Sequence, residues 1–286
     1  MHDPLPSLQS LPHRSRRSHW RHLRWLIPLL LAAAVGLWGY IPSPTGPAAG
    51  TVLYGNGIRS TTRPTLRVAT FNIHSGKNVA GQFNLEKTAA VLKGFDLIAL
   101  NEVRGKAILQ DVDQAQVLGE KLSMQWLFAP TENRWWHESF GNGVLSAVSV
   151  LDWRRVPLAG SFGRGKRNVI VLRVMLQGKV VNVLITHIDR GSDHKKQLQA
   201  VLQEFVNVAE PAVLMGDLNG EANDPFVLPI LKAPGVKDAV GSVMRTRVPA
   251  DRIDWIFTKG LETISAGVEK NDASDHPMVW AELKLP

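Results

Sequence analysis

The chain has 286 residues and no cysteine, with 44% apolar and 20% charged residues and 33 Lys plus Arg against 25 Asp plus Glu. That composition excludes a disulfide scaffold, a thiol nucleophile, cysteine-ligated zinc and iron–sulfur chemistry, and it is too apolar for a disordered chain. Half of the net charge of +8 sits in residues 1–24, two more charges are Arg59 and Arg63, and the rest of the chain is close to neutral, so any polyanion-binding surface must be local.

Residues 1–24, with five Arg against Asp3, read as a basic cytoplasmic tail. Trp25 to Ile41 follows as seventeen residues without a charge, at the lower limit of about 17 for a bilayer-crossing helix, with Trp25 at one end and Trp38 and Tyr40 at the other as interfacial anchors. The arginines all precede it, so the expectation is a single-pass transmembrane helix or signal anchor in the inner membrane, with the remainder periplasmic or extracellular. A cleaved signal peptide and a buried soluble helix are the alternatives. Residues 42–64 contain Pro42, Pro44, Pro47, Pro64 and four Gly with no acid, which reads as a linker. Residues 65–286 suit one large domain.

Within that domain the pattern predicts a strand over Leu66–Ile73, a helix over Leu85–Leu92 and a strand over Asp96–Leu100. Asp111–Leu122 reads as helical and Trp126–Ala129 as extended. Gly143–Val150, Val169–Leu176 and Val180–Ile185 read as strands, the last two joined by a Gln177-Gly178-Lys179 hairpin turn. Asp193 is placed to cap a helix running to about Val208, and Ala212–Met215, Ile253–Thr258 and Met278–Leu283 complete the strands. Helix-crossed strands with a central hairpin point to an α/β domain with more than one sheet.

Polar residues recur where these strands end: Asn72, Glu102, His187, Asp217 with Asn219, Asp254, and Asp275 with His276. Carboxylate and amide oxygens suit Mg²⁺ or Mn²⁺, which keep waters and leave room for a phosphate, and histidines supply groups that exchange protons near neutral pH. There is no complete Gly-x-x-x-x-Gly-Lys-Ser/Thr loop, since Gly160 to Lys166 is followed by Arg167, and no Gly-x-Ser-x-Gly elbow. Metal-assisted attack by water is the economical reading.

The strings Thr70-Phe71-Asn72-Ile73, Leu100-Asn101-Glu102-Val103, Gly141-Asn142-Gly143-Val144-Leu145-Ser146, Thr186-His187, Met215-Gly216-Asp217-Leu218-Asn219, Arg252-Ile253-Asp254-Trp255-Ile256-Phe257 and Ser274-Asp275-His276-Pro277 occur in that order. Together they resemble the motifs of the endonuclease/exonuclease/phosphatase superfamily, over about Leu66 to Leu285. The resemblance implies a DNase I-like four-layer α/β sandwich of two packed mixed β-sheets, with the site at one edge. It implies Glu102 as the principal metal ligand, with Asn72 and Asp275 beside it, and Asp217 orienting or deprotonating the attacking water. Asn219 would hold phosphate or that water, and His276, kept cationic by Asp254, would contact the scissile phosphate. His187, Asn142 and Lys196 would touch phosphate oxygens. The expected function is Mg²⁺- or Mn²⁺-dependent hydrolysis of a phosphodiester, nuclease-like, by a monomer. The alternatives are a phospholipid or sphingomyelin phosphodiesterase at the membrane, and a catalytically silent binding module.

Three positions depart from the family pattern. Asn101 stands where Gln is common, Gly165-Lys166-Arg167-Asn168 lacks an acid to pair with the first histidine, and Lys196 replaces an Arg. Arg134-Trp135-Trp136-His137 reads as a base- or lipid-contacting loop or as local packing. Gly163–Arg167 reads as a phosphate-binding loop or a basic hairpin tip, and His194 as a solvated residue at a helix start.

Overall fold

The computed structural model describes residues 18–40, 48–51, 53–57, 64–106, 112–134, 137–158, 166–244 and 248–286. The chain divides into two units, Met1–Ile41 and Pro42–Pro286. In the first, Ser18–Tyr40 forms one helix, α1, with Pro28 inside it. Among the described residues no helix is long and apolar enough to cross a membrane, so the expected span over 25–41 is not supported by the structure.

The second unit runs β1 (Ala49–Gly50), β2 (Thr65–Asn72), α2 (Leu85–Val91), β3 (Leu97–Arg104), α3 (Gln114–Leu122), β4 (Gln125–Arg134) and β5 (His137–Ser146). It continues through β6 (Val150–Leu158), β7 (Arg167–Leu176), β8 (Lys179–His187), α4 (His194–Asn207), β9 (Ala212–Asp217), α5 (Leu228–Lys232) and β10 (Val236–Asp238). α6 (Ala239–Met244), β11 (Asp254–Lys259), β12 (Glu262–Glu269) and β13 (Met278–Lys284) complete it. One sheet has the order β1-β6-β7-β8-β9-β11-β10 and the other β12-β13-β2-β3-β5-β4. Both are mixed, with β8 parallel to β9 and β2 parallel to β3 inside otherwise antiparallel ladders.

The β7–β8 hairpin turns on Gln177 and Gly178, both at positive φ (49° and 75°), the backbone of a type I′ turn. Residues 42–64 are not linker throughout. Ala49 and Gly50 pair with Arg154 and Trp153 at the edge of the first sheet, and Tyr54 bridges to Trp126. Gly50 is required there, because a Cβ would lie 2.8 Å from the Trp153 indole nitrogen.

Strand alternation explains the layers. Leu66 and Val68 of β2, Leu97 and Ala99 of β3, Val183 and Ile185 of β8, Val213 and Met215 of β9 and Ile256 of β11 all enter one core between the sheets. The intervening Ala69, Phe71, Ile98 and Leu100 turn outward onto Leu85, Ala89, Leu118 and Leu122 of α2 and α3. On the other side Leu184, Leu214, Trp255 and Phe257 turn outward onto Leu198, Val201, Phe205 and Ile230 of α4 and α5. The result is the expected helix–sheet–sheet–helix sandwich.

Candidate active site

The same alternation builds the site. Continuing each inward row by one more step reaches Asn101 on β3, Asn142 on β5, Asn168 on β7, His187 on β8, Asp217 on β9 and Asp254 on β11, and on β2 the row passes buried Thr70 to reach Asn72. Register aligns them: Asn72 lies opposite Asn101, His187 opposite Asp217, and Asp217 opposite Asp254. At one end of the inter-sheet core the apolar side chains are therefore replaced by a layer of amides, carboxylates and imidazole, all at most 3% exposed.

Asn101 stitches this layer together. Its Nδ2 donates to Asn142 Oδ1 at 2.9 Å and to the Thr186 carbonyl at 3.0 Å, and its Oδ1 accepts from the Asp217 amide at 3.2 Å. The shorter amide thus spans both sheets and fixes the backbone of Asp217. Asn142 spends its own Nδ2 on Asn168 Oδ1 (3.0 Å) and the Asn168 carbonyl (3.3 Å), so in this structure it supports the floor and has no N–H left for a phosphate. Asn168 completes the chain by donating to the Ala129 and Pro130 carbonyls at 3.2 and 3.1 Å.

Above this floor, Asn72 Nδ2 lies 3.0 Å from Asp217 Oδ2, 3.3 Å from Glu102 Oε1 and 3.4 Å from His276 Nε2. Its Oδ1 accepts from the His74 amide at 3.0 Å, so Asn72 bridges the carboxylates with its N–H groups. Glu102 continues β3 but holds φ at +57°, a left-handed conformation that breaks the alternation and turns its carboxylate toward the cluster. Gly216 is the other special position: at φ +147° any Cβ would stand 1.8 Å from the Thr186 carbonyl oxygen.

His276 comes from the loop before β13. Ser274 Oγ donates to the Asn72 carbonyl at 2.7 Å and accepts from the His276 amide at 3.2 Å, tying that loop to β2. His276 Nδ1 meets Asp254 Oδ2 at 2.8 Å, and its Nε2 is 3.9 Å from Asp217 Oδ2. Burial disfavours the imidazolium, but the hydrogen bond and charge of Asp254, then the charges of Asp217 and Asp275, overcome it and hold His276 up at about 9. Asp217 is pushed up to about 7, chiefly by burial and then by the Asp254 carboxylate, with His276, Asn72 and the Asn219 amide pulling the other way. His187 is driven well below the ordinary imidazole range by burial, then by Arg167 and His276. It is therefore neutral, and its Nε2 accepts from Asn219 Nδ2 at 3.2 Å. Asn219, itself at φ +49°, also donates to the Ile188 carbonyl at 2.9 Å and to Asp217 Oδ1 through its backbone at 2.8 Å.

Asp217, Asp254 and His276 present ligand atoms within 4.8 Å of one another, a candidate metal site among the described residues. Asp254 Oδ1 is buried without a partner, and Glu102 lies against the same Asn72 amide that meets Asp217. Oxygen donors dominate and open lone pairs remain, so the set fits a hard divalent cation. Asp275 is exposed at the rim, with Oδ1 3.5 Å from His74 Nδ1.

Lys196 lies on the exposed side of α4, and no contact among the described residues joins it to the cluster. His194 is not solvated as expected: its Nε2 lies 2.9 Å from the Leu218 carbonyl and its ring packs edge-on to Phe226 at 6.0 Å. Sequence reasoning missed Arg104 and Phe140, and read Arg167 only as part of a phosphate-binding loop or basic hairpin tip. Both guanidinium groups lie over the Phe140 ring, at 5.0 and 5.6 Å, and that ring is 6.3 Å from His187. The side chains of Arg134 to His137, and Gly163 to Gly165, lie outside the described residues.

No curated protein sequence matches the chain. Among solved structures, an endonuclease/exonuclease/phosphatase protein from Beutenbergia cavernae is 26% identical, covering 78% of this chain and 72% of that one, with a TM-score of 0.63. One from Bacteroides vulgatus is 20% identical over 78% of this chain and all of that one, also at 0.63. D. rerio TDP2 complexed with a single-strand DNA product is 17% identical, covers 78% of this chain and 100% of that one, and has a TM-score of 0.57, a likeness of fold. The model of the Endonuclease/Exonuclease/phosphatase family matches residues 69–276, which takes in every strand-end motif from Asn72 to His276, and the chain belongs to that family.

Proposed function

We propose that the protein is a metal-dependent phosphodiesterase, nuclease-like in action, that hydrolyses a phosphodiester with activated water. The observation that carries this reading is the division of labour among three neighbouring groups, buried Asp217 and His187 and half-buried His276. Asp217, near 7, takes a proton from water at neutral pH, whereas His276, near 9, remains a cation facing the same space. His187 stays neutral and orients Asn219, which in turn donates to the Asp217 carboxylate. Glu102 would hold Mg²⁺ or Mn²⁺, with Asn72 and Asp275 bordering it. Asp254 and His276 already satisfy each other at 2.8 Å, which favours the Glu102 side for the ion. A bound divalent cation supplies Lewis-acid stabilisation of charge on the phosphoryl oxygens. His276 adds a fixed positive charge at the same place, and Asn101 fixes the base. A silent binding module would have no use for a base and a cation tuned apart in one cluster.

The test is incubation of the full chain with Mg²⁺ or Mn²⁺ and a panel of DNA, RNA, phospholipid and phosphomonoester. Glu102→Ala serves as the blank. Hydrolysis that survives both chelation and that substitution would overturn the reading. Membrane attachment through residues 25–41, with the catalytic domain outside the inner membrane, is supported by the sequence: the uncharged run and the arginines confined to its N-terminal side. A reporter fused after Pro286 that reads as cytoplasmic would remove it.

A further inference from the structure

Asn72 ties three neighbours together. Its Nδ2 lies 3.3 Å from Glu102 Oε1, its Oδ1 accepts from the His74 amide at 3.0 Å, and its carbonyl accepts from Ser274 Oγ, the residue before Asp275, at 2.7 Å. The backbone that carries His74 is unusual. His74, Ser75 and Gly76 are successive left-handed residues, at φ +46°, +58° and +76°, and the first two carry a Cβ that disfavours this conformation. The turn is braced from outside. Arg104 Nε donates to Ser75 Oγ at 2.9 Å, and Gln114 Nε2 donates to the Ser75 carbonyl at 2.7 Å. Gln114 Oε1 in turn accepts from the Arg104 amide at 2.9 Å. Side chains of β3 and α3 thus hold a disfavoured backbone in place, and with it the direction of the His74 ring.

That direction is toward Asp275. The ring as a whole is 38% exposed, yet its Nδ1 is buried and has no hydrogen-bond partner among the described residues. Nδ1 lies 3.5 Å from Asp275 Oδ1, longer than the roughly 2.7–3.2 Å of an N–H···O bond. Two ligands of one divalent cation, at bond lengths of about 2.0–2.2 Å, stand roughly 3.0–3.4 Å apart, close to the separation seen here. An imidazole nitrogen and a carboxylate oxygen that face each other without bonding form a pair that a cation would join. Imidazole binds first-row transition ions well and adds little to Mg²⁺, which selects oxygen. Resting on the metal-dependent reading above, we propose that His74 supplies a nitrogen ligand to the divalent cation beside Asp275, so that the site takes Mn²⁺ in preference to Mg²⁺.

The test uses the full chain with Mn²⁺ alone and no substrate. Pulsed EPR of the bound Mn²⁺ is expected to show the nitrogen modulation of a coordinated imidazole. His74→Asn, which also tolerates a left-handed backbone, should remove that modulation, and His276→Asn should keep it. Calorimetry should find Mn²⁺ bound about tenfold more tightly than Mg²⁺, with His74→Asn weakening Mn²⁺ about tenfold and Mg²⁺ less than about twofold. His74→Asp puts an oxygen on the same backbone. It should bind both ions without the nitrogen signal, and it carries the comparison if the Asn variant does not fold. A native protein without nitrogen modulation, or a signal that survives both His74 variants, would overturn the proposal. So would loss of the signal in His276→Asn alone, which would put the ion among Asp217, Asp254 and His276. The two readings fail separately. Cation-dependent hydrolysis without an imidazole signal overturns the His74 ligand and leaves the phosphodiesterase reading standing, whereas a His74-dependent signal with no ester hydrolysed supports the ligand and removes that reading.

Discussion

The Asp254–His276 pair offers the sharpest perturbation. Asp254→Asn keeps the shape of the side chain but removes the charge that, through a 2.8 Å contact, holds His276 near 9. Without it burial acts unopposed by its main counterweight, and the imidazole should titrate at or below its ordinary value of about 6.5. At pH 7.5 roughly one native molecule in thirty has a neutral His276, and in the variant nine in ten or more should. If the imidazolium stabilises the phosphoryl charge, kcat/KM at pH 7.5 should fall by about 10²-fold, through lost charge and lost orientation together. The falling alkaline limb of the pH profile should move down from about 9.

The same shift has a thermodynamic face. A cation whose pKa is raised by folding contributes stability that is complete below its unfolded value of about 6.5 and disappears as pH rises through about 9. The difference amounts to on the order of 3 kcal/mol for a side chain that is 18% exposed. Urea unfolding of the chelator-treated protein should therefore show native and Asp254→Asn chains far apart at pH 6 and converging near pH 9. NMR titration of the His276 ring reads the pKa directly. A ring that still titrates near 9 in the variant would refute the assignment. So would strictly multiplicative rate losses among Asp254→Asn, His276→Ala and the double variant, since two groups acting as one unit lose their effects non-additively.

Three further outcomes follow from the site. Glu102→Gln should weaken Mn²⁺ binding at least tenfold by calorimetry and abolish turnover, and unchanged affinity would remove Glu102 from the metal site. Asn101→Leu strands the Asp217 amide, the Thr186 carbonyl and Asn142 Oδ1, so it should cost about 3 kcal/mol in urea unfolding. A loss below about 1 kcal/mol would mean that these bonds do not join the sheets. Gly216→Ala places a methyl 1.8 Å from the Thr186 oxygen and should cost about 3 kcal/mol or more, read as a lowered urea midpoint; an unshifted midpoint would show β8 and β9 free to separate.

What the sequence made legible follows from how each strand is buried. β2, β8, β9 and β11 run between two apolar layers, so their β-branched runs announce them, and the polar residue that ends each run stands out against the pattern. That is why Asn72, His187, Asp217 and Asp254 could be named before any geometry was known. β6 and β12 escaped notice because Asp152, Arg154, Arg155 and Pro157 interrupt the first, and the second is an edge strand that begins and ends on a glutamate. Asp152 and Arg154 are held by ion pairs to Arg173 and Glu204, partners no local window contains. β1 hid among prolines and glycines because its two residues need only a Trp153 ring and a place at the sheet edge.

Individual roles were harder to read than positions, because a role depends on what lies across the sandwich. Asn142 occupies the phosphate-contacting place in the family pattern, yet Asn168 takes both of its N–H bonds, and that pairing is set by β5 and β7 belonging to different sheets that pack face to face. Asn168 stands in a segment singled out for lacking an acid, and an amide there has a consequence that a carboxylate would not. It donates into the floor and leaves His187 without a charged partner at Nδ1, buried and neutral. A neutral His187 can accept from Asn219 and steer it toward Asp217, but it cannot serve as a second acid. In the proposed hydrolysis the proton traffic would then rest on Asp217 and His276, with His187 confined to positioning Asn219.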